Sequence, residues 1–320
     1  NAAYQDAAPI FSDQEFDAKM QQLRQLEQDY PDLVTPDSPT QRVLQKPIPG
    51  FQQVRHLNPM LSLANVTNDR EISTFLKRLE AVSSPELILE PKVDGLSVEL
   101  RYGPDGVLFQ ALTRGDGKVG DDVTAQVRTI RQIPLMLPTG SSLPNIRVRG
   151  EVYMSRATFD RLNQERADVG EDPWANPRNA AAGALKLLDP RETDKRCLSF
   201  VGYEIFGCDI TRQELIHDLF RKFKIPTFEQ NSLAYGLRGL DRINAALQHL
   251  NSMRYQLPFD IDGAVLKLNE RSDQLELGLS THSPNWAVAF KYPPEEATTT
   301  LLGVTVQMGK HGSLTPVAEL

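Results

Sequence analysis

The run EPKVDG at residues 90–95 carries the residue types best suited to chemistry in this chain of 320 residues. It places Lys92 two positions before Asp94, next to a strand-like apolar run at 87–90. A lysine amine is a nucleophile once it has lost its proton, and a neighbouring carboxylate can orient it. Taken alone, so short a motif favours a surface lysine before a turn, because most lysines are exposed.

Further charged residues alternate with apolar ones along predicted strands. Glu151 falls on the polar face of a strand at 146–154, and Lys267 points away from its neighbouring leucines at 261–269. Lys291 lies beside two alanines at 286–292, and such small neighbours leave room for a ligand. Three lysines and two carboxylates on strands suit a site that binds a nucleotide phosphate and attacks it. Each of these residues taken singly also fits a cross-strand ion pair.

Other motifs in the chain predict less. The segment GDGKVG at 115–120 fits GxGxxG, but the acidic residue that a dinucleotide-binding fold needs about 20 positions later is missing, since 123–150 contains no Asp or Glu. The serine-hydrolase, zinc-protease and P-loop signatures GxSxG, HExxH and GxxxxGK[ST] are absent. With only Cys197 and Cys208, a four-thiolate zinc site is excluded, and we predict no metal site built from protein side chains alone.

Charge argues against a module that holds nucleic acid by bulk charge. The chain has 35 Lys+Arg and 42 Asp+Glu, a net charge of −7. Within it, the acid-free stretch 123–150 contains Arg128, Arg131, Arg147 and Arg149, a candidate phosphate-facing surface. The alternative is a solvated face paired with distant carboxylates.

The pattern of elements predicts an α+β fold with antiparallel sheets, because strands occur in adjacent groups and not in βαβ alternation. Strand-like runs lie at 87–90, 96–102, 107–113, 146–154, 199–206, 261–269 and 286–292. Helical patterns lie at 12–30, 68–80, 155–167, 178–188, 211–224 and 238–254, with capping boxes at Ser12 and Thr211. The sequence shows no signal peptide and no membrane-spanning run, so we expect a cytoplasmic protein that does not enter the membrane.

Six long blocks give these residues a common context, and together they closely resemble the NAD-dependent DNA ligases of bacteria. They follow the family's order over essentially the whole chain: EPKVDGLS at 90–97, LTRGDGKVGDDVTAQVRTIRQIP at 112–134, VRGEVYM at 148–154, ANPRNAAAGALKLLDPR at 175–191, DIDGAVLKLN at 260–269 and WAVAFKYPPEE at 286–296. Shorter matches, FSDQEFD, SPTQRV and PMLSLAN, lie upstream of them.

The resemblance implies a fold and a division of the chain. A helical subdomain that binds the nicotinamide mononucleotide half of NAD would occupy 1–48. An ATP-grasp-like nucleotidyltransferase (adenylation) domain of antiparallel sheets with helices would occupy 49–297. Residues 298–320 would begin an OB-type β-barrel that is cut off.

The resemblance also implies roles for individual residues. Lys92 would attack the α-phosphate of NAD and form lysyl-AMP, and Asp94 would orient the lysine or its metal. NAD would be held by Asp13, Phe16, Asp17, Ser62, Leu63, Glu90, Arg114, Glu151, Lys267 and Lys291. Nicked double-stranded DNA would be contacted by Arg178, Lys186, Arg128 and Arg131. Magnesium would offset phosphate charge, and we expect a monomer.

Some positions depart from the family pattern. Ala3-Tyr4 stands where two aromatic or histidine residues are usual, and Phe16 where a tyrosine is usual, which weakens the expected grip on nicotinamide. Ala184 and Lys186 replace a usual serine and arginine, and a lysine cannot grip phosphate in two places. With no complete barrel after residue 298, we expect inefficient nick sealing.

Two other functions remain open from the sequence. One is a lysine nucleotidyltransferase that uses ATP or GTP, of the RNA ligase or capping type, because K-x-D-G is shared among them. The other is a non-catalytic module that binds nicks. Asp13 and Asp17 favour an NAD user over the first, and the three lysines favour an enzyme over the second.

Overall fold

The computed structural model describes residues 13–42, 48–80, 82, 85–138, 145–293, 298–309 and 312–319. Its helices are α1 (Asp13–Asp29), α2 (Asp69–Leu79), α3 (Thr124–Arg128), α4 (Arg156–Asp168), α5 (Pro177–Leu185), α6 (Pro190–Asp194), α7 (Leu215–Lys222), α8 (Leu240–Met253) and α9 (Arg271–Leu277). Short 3-10 turns occur at Pro31–Leu33, Pro39–Gln41 and Gln230–Ser232.

The strands are short, and those that carry the site lie in the middle of the chain. They are β1 (Gln53–Arg55), β2 (Ala64–Val66), β3 (Leu87–Val93), β4 (Leu96–Tyr102), β5 (Leu108–Thr113), β6 (Val119–Asp121), β7 (Ile146–Tyr153), β8 (Ser199–Phe206), β9 (Ala234–Leu237), β10 (Ile261–Leu268), β11 (Ala287–Lys291), β12 (Gly303–Met308) and β13 (Leu314–Glu319).

Two sheets form the body of the protein. A five-stranded sheet has the order β2-β11-β10-β3-β9, and a four-stranded sheet has the order β5-β4-β7-β8. All neighbours are antiparallel except β2 and β11, so the predicted α+β class with antiparallel sheets is confirmed. β3 and β4 are consecutive but belong to different sheets, and the chain therefore passes from one sheet to the other at Asp94 and Gly95.

Two hydrophobic clusters form the interior, and the second is shared, because Tyr153 and Val201 of the four-stranded sheet pack in it with the five-stranded sheet. The four-stranded sheet buries Val98, Leu100 and Val148 against helices that include α5. The five-stranded sheet buries Leu89 and Leu266 against α2 and α8. α2 shows how the sequence builds such a face: the Asn68 side chain accepts a hydrogen bond from the Glu71 amide, and the helix buries Ile72, Phe75 and Leu79 on one side.

The predicted elements are largely present, with exceptions that have local causes. α7 begins at Leu215, and its N-cap, Glu214, makes no side-chain capping bond, so the capping box predicted at Thr211 is wrong. The Glu214 amide instead donates to Oδ1 of the distant Asn269 side chain. The box predicted at Ser12 lies outside the described residues.

The segment GDGKVG is a turn leading into β6, not the entry to a helix. Gly115 and Gly117 have φ of +56° and +90°, a conformation that favours glycine, and β6 pairs with β1. The expectation that this motif is no dinucleotide loop agrees with that geometry. β12 and β13 form an antiparallel hairpin, so strands do follow residue 298 as predicted.

Candidate functional site

A cleft of about 1280 Å³ contains the lysine singled out in the sequence. Strands from both sheets supply its walls: β3, β10 and β11 on one side, and the ends of β4, β5 and β7 on the other. Nearly all the predicted NAD-site residues that have described side chains line it: Ser62, Leu63, Glu90, Lys92, Arg114, Glu151, Lys267 and Lys291. Its volume is at the upper end for a small-molecule site.

Lys92 is held in a bidentate ion pair. Its Nζ lies 2.8 Å from both carboxylate oxygens of Asp262, with the two side chains only 25% and 30% exposed. The pairing follows from strand register, because Gly263 on β10 lies opposite Lys92 on β3. Sequence reasoning missed Asp262, although it lies in the quoted block DIDGAVLKLN. The amine that would react therefore carries an ion-pair partner from a strand 170 positions away.

Glu90 lies at the buried end of the cleft in a charged triad. Lys267 Nζ is 2.7 Å from Glu90 Oε2, and His217 Nε2 is 3.3 Å from Glu90 Oε1. Burial alone would raise the pKa of Glu90, but the Lys267 ammonium and the His217 ring outweigh it and hold the pKa below its usual value. Lys267 also donates to the Tyr203 carbonyl at 2.9 Å, so it is engaged with protein groups in this structure.

Glu151 on β7 behaves in the opposite way. Its carboxylate accepts a hydrogen bond of 2.8 Å from Ser97 Oγ on the neighbouring strand β4. Although the residue keeps some accessible surface at the cleft, its surroundings are dominated by protein, and burial raises its pKa to about 7 against the pull of Ser97 and Lys92. Glu151 is therefore a carboxyl that can change its charge near neutral pH.

Two further cations line the cleft: Arg114 is exposed and Lys291 is half-buried. Arg114 follows β5, and its guanidinium donates to Ser62 Oγ at 2.9 Å. Lys291 ends β11, where its backbone lies opposite Gly263 of β10. Its side-chain ammonium makes no hydrogen bond or ion pair with the residues that the structure describes. These two side chains are free to meet an anionic ligand.

Asp94 and Arg178 are paired at the mouth of the cleft. The Arg178 guanidinium donates to Asp94 Oδ1 at 2.6 Å, which together with the nearby carboxylates raises the pKa of Arg178. Arg178 lies in the first turn of α5, whose N-cap is the Asn176 side chain. Lys186 lies at the other end of α5, exposed and also on the cleft lining.

The arginines of 123–150 do not form one exposed surface. Arg149 is buried at 9% exposure and donates to Glu99 at 3.0 Å, so it is not part of an exposed cationic surface, although it lines the cleft. Arg147 is half-buried and stacks on Phe206 at 4.9 Å. Arg128 donates to the Leu108 carbonyl, while Arg131 is exposed and lies 3.8 Å from Asp194. Glu99 on β4 and Asp194 on α6 supply acids that the stretch itself lacks.

The remaining predicted residues belong to the N-terminal helix. Asp13, Phe16 and Asp17 lie in α1, and their side chains are outside the described part of the structure, as is the pair Ala3-Tyr4. Among the described residues, no group of three His, Cys, Asp or Glu side chains is placed to hold a metal ion. A magnesium ion at this cleft would therefore need ligands from a bound phosphate as well as from protein.

The fold and the cleft together define an α+β protein in which a lysine lies where two sheets meet. The chain belongs to the family of NAD-dependent DNA ligase adenylation domains, whose model matches residues 49–295. A second model, the DNA ligase-like N-terminal NAD+-binding domain, matches residues 2–44.

Curated relatives agree with the family models. The DNA ligase of Protochlamydia amoebophila is 42% identical over 324 residues, which cover 99% of this chain and 48% of that protein. The DNA ligase of Trichlorobacter lovleyi is 44% identical over 327 residues, covering 99% of this chain and 47% of that protein. The chain thus spans about half the length of the curated relatives it matches. None of the described helices has the length and apolarity that a bilayer span requires.

Proposed function

We propose that this chain carries out the first step of an NAD-dependent DNA ligase, transfer of AMP from NAD to Lys92. The observation that carries the proposal is the placement of the Lys92 amine in a cleft with two available cations, Arg114 and Lys291, in a member of this family. An amine surrounded by phosphate-binding cations suits attack on phosphorus and stabilisation of the charge that develops there.

The proposed step is a displacement at the α-phosphorus that bears the adenosine. Lys92 Nζ, having lost a proton, forms the P–N bond, and the P–O bond to nicotinamide mononucleotide breaks, with the electron pair leaving on that product. Because Asp262 holds Lys92 through both carboxylate oxygens, the amine must leave this ion pair before it attacks. NAD binding would begin that exchange, since its phosphates compete with Asp262 for the same cation.

The other cleft residues have complementary tasks in this proposal. Glu90, held ionised by Lys267 and His217, accepts hydrogen bonds from the adenine amino group. Glu151 and Ser97 face the ribose, while Arg114 and Lys291 hold the phosphates, and Ser62 and Leu63 close the adenine pocket. The Lys267 ammonium has three donor hydrogens, and because Glu90 and the Tyr203 carbonyl engage two of them, one is left for a phosphate.

The rest of the reaction extends the same proposal. AMP passes from Lys92 to the 5′-phosphate of a nick in duplex DNA, with Arg178, Lys186, Arg128 and Arg131 toward the DNA, and the 3′-hydroxyl then displaces AMP. Magnesium offsets phosphate charge. We propose the division 1–48, 49–297 and 298–320, with a helical nicotinamide-binding part first and the start of an OB-type barrel last, in a cytoplasmic monomer.

Intact-mass measurement tests the proposal directly. The chain is incubated with magnesium and either NAD or ATP, and an adenylyl adduct is expected from NAD and not from ATP. Lys92→Ala should give no adduct, while the matched control Lys118→Ala, which removes an exposed lysine outside the cleft lining, should react as the unaltered chain does. An adduct from ATP only, or an adduct that survives Lys92→Ala, would contradict it.

A further inference from the structure

A buried histidine, His56, lies behind Arg114 and has no part in the chemistry proposed above. It follows β1, and its side chain is fully buried. Its Nε2 lies 3.1 Å from the carbonyl oxygen of Thr113 and 3.3 Å from that of Arg114. Because carbonyl oxygens only accept, Nε2 must carry the ring hydrogen and donate to both.

The chain around His56 is bound to the same loop at several points. The His56 amide donates to the Lys118 carbonyl at 2.9 Å, and the Met60 amide donates to the Gly117 carbonyl at 2.8 Å. Further along, Ser62 Oγ accepts from the Arg114 guanidinium. Residues 53–62 therefore hold both the backbone and the side chain of the loop that carries Arg114.

A buried charge cluster lies beside the ring, whose Nδ1 has no hydrogen-bond partner among the described residues. That nitrogen lies 3.8 Å from Glu99 Oε1, and Glu99 accepts from Arg101 and Arg149 at 3.0 Å each. Arg149 also donates to the Pro59 carbonyl at 3.1 Å, so the cluster is hydrogen-bonded to the segment that carries His56. Gly120 lies close to the ring, because a Cβ there would be 2.9 Å from His56 Nε2, so a residue larger than glycine would have to displace the ring.

We propose that His56 is a positioning residue: its Nε2–H holds the carbonyls of Thr113 and Arg114 and thereby sets the direction in which the Arg114 guanidinium enters the cleft. The inference rests on the proposed function, because only there does Arg114 hold the phosphates of NAD. Without the ring, both carbonyls lose this hydrogen bond, the Arg114 carbonyl keeps the one from the Gly117 amide at 3.0 Å, and the loop can rotate. The predicted effect is weaker NAD binding and not slower chemistry once NAD is bound.

The test measures the single-turnover rate of adduct formation by the full chain over a range of NAD concentrations. His56→Leu should raise the half-saturating NAD concentration about tenfold and leave the maximal rate within about twofold, the size expected for a lost buried hydrogen-bond donor. His56→Gln, whose amide can place a donor near the Nε2 position, should restore most of the affinity. If His56→Leu does not fold, His56→Gln and the shorter His56→Asn supply the comparison, with the affinity loss expected only in His56→Asn.

Coupling to Arg114 separates positioning from general destabilisation. Arg114→Ala should weaken NAD binding, and adding His56→Leu to it should weaken binding less than twofold further, because the group being positioned is gone. The matched control is Tyr102→Phe in β4. It deletes a buried hydroxyl that donates to the Pro134 carbonyl at 3.0 Å. It should lower the melting temperature without changing the half-saturating concentration.

Three results would overturn the inference. The first is that His56→Leu weakens NAD binding equally with and without Arg114, and the second is that His56→Leu lowers the maximal rate but leaves the half-saturating NAD concentration unchanged. The third is that His56→Gln binds NAD no more tightly than His56→Leu or His56→Asn. Failure of the proposed function is seen separately, because the unaltered chain would then form no adduct from NAD at all.

Discussion

The two carboxyl groups Glu90 and Glu151 of the cleft have pKa values shifted in opposite directions: that of Glu90 is lowered and that of Glu151 is raised. Glu90 is kept ionised by Lys267 and His217, and Lys92 is held by Asp262. Glu151 accepts a hydrogen bond from the Ser97 hydroxyl, and burial raises its pKa to about 7. One end of the cleft is therefore fixed in charge, whereas Glu151 is adjustable.

The raised pKa of Glu151 predicts a pH-dependent stability. Below about pH 4.5 the Glu151 carboxyl is protonated in both the folded and the unfolded chain, so it does not lower the free energy of unfolding. Between about pH 4.5 and 7 the unfolded chain ionises first, so the free energy of unfolding falls as pH rises, by on the order of 3 kcal/mol, and then levels off. Urea unfolding at several pH values should show this loss in the unaltered chain and not in Glu151→Gln. Parallel pH profiles for the two proteins would contradict the raised pKa.

Glu99 represents the other extreme. Burial would raise its pKa, but His56 and the guanidiniums of Arg149 and Arg101 outweigh burial and hold the pKa at about 2. Glu99→Gln leaves two arginines without a counter-charge, so we expect a loss of about 3 kcal/mol in the free energy of unfolding. The control Glu165→Gln breaks an exposed pair with Arg161 and should change nothing measurable. Equal effects from the two variants would show that the Glu99 cluster does not stabilise the fold.

At the scale of elements, the β10 strand organises the site. Its Gly263 lies opposite Lys92 on β3 and opposite Lys291 on β11, and the preceding residue is Asp262. A Cβ at Gly263 would lie 1.9 Å from the Phe290 carbonyl oxygen, so glycine is what lets β10 and β11 approach closely.

Gly263→Ala is therefore expected to separate β10 from β11. The variant should lose at least 2 kcal/mol of stability and most of its adduct formation, because Lys291 and Asp262 shift together. Gly183→Ala is the matched control: it adds the same methyl group within α5, where nothing lies within 4 Å, and should stabilise the helix by up to about 1 kcal/mol. Thermal unfolding and intact-mass assays check both variants, and a stable, reactive Gly263→Ala would show that the close approach is not needed.

The positions of site residues on individual strands could be predicted from the sequence, whereas their partners on other elements could not. Period-two alternation placed Glu151, Lys267 and Lys291 on strands, and the motif EPKVDG placed Lys92 at the end of β3. The partners Asp262 and His217 could not be predicted from spacing, because strand register and helix packing bring them from 170 and 127 positions away. The strand β6 and the helix α3 are too short to show a period, and their form depends on pairing with β1 and packing on β5.

At the scale of the whole molecule, the two sheets are joined by a shared hydrophobic cluster, in which Tyr153 and Val201 of the four-stranded sheet pack with the five-stranded sheet, and both sheets supply the charged walls of the cleft. Lys92, Glu90 and Lys291 belong to the five-stranded sheet, while Arg114 and Glu151 belong with the four-stranded sheet. A nucleotide that contacts the cleft residues of both sheets links the two sheets. Because it binds only the folded arrangement, it stabilises both sheets against unfolding.

Hydrogen exchange of the chain before and after reaction with NAD tests this link. The AMP adduct on Lys92 should slow amide exchange both in β10 (Ile261–Leu268) and in the turn after β5 at 114–118, because AMP contacts both walls. The hairpin of β12 and β13, which supplies no residue to the cleft lining, should exchange at an unchanged rate and serves as the internal control. Protection confined to β10 would mean that AMP is held by one sheet alone, and Arg114 and Glu151 would then need another role.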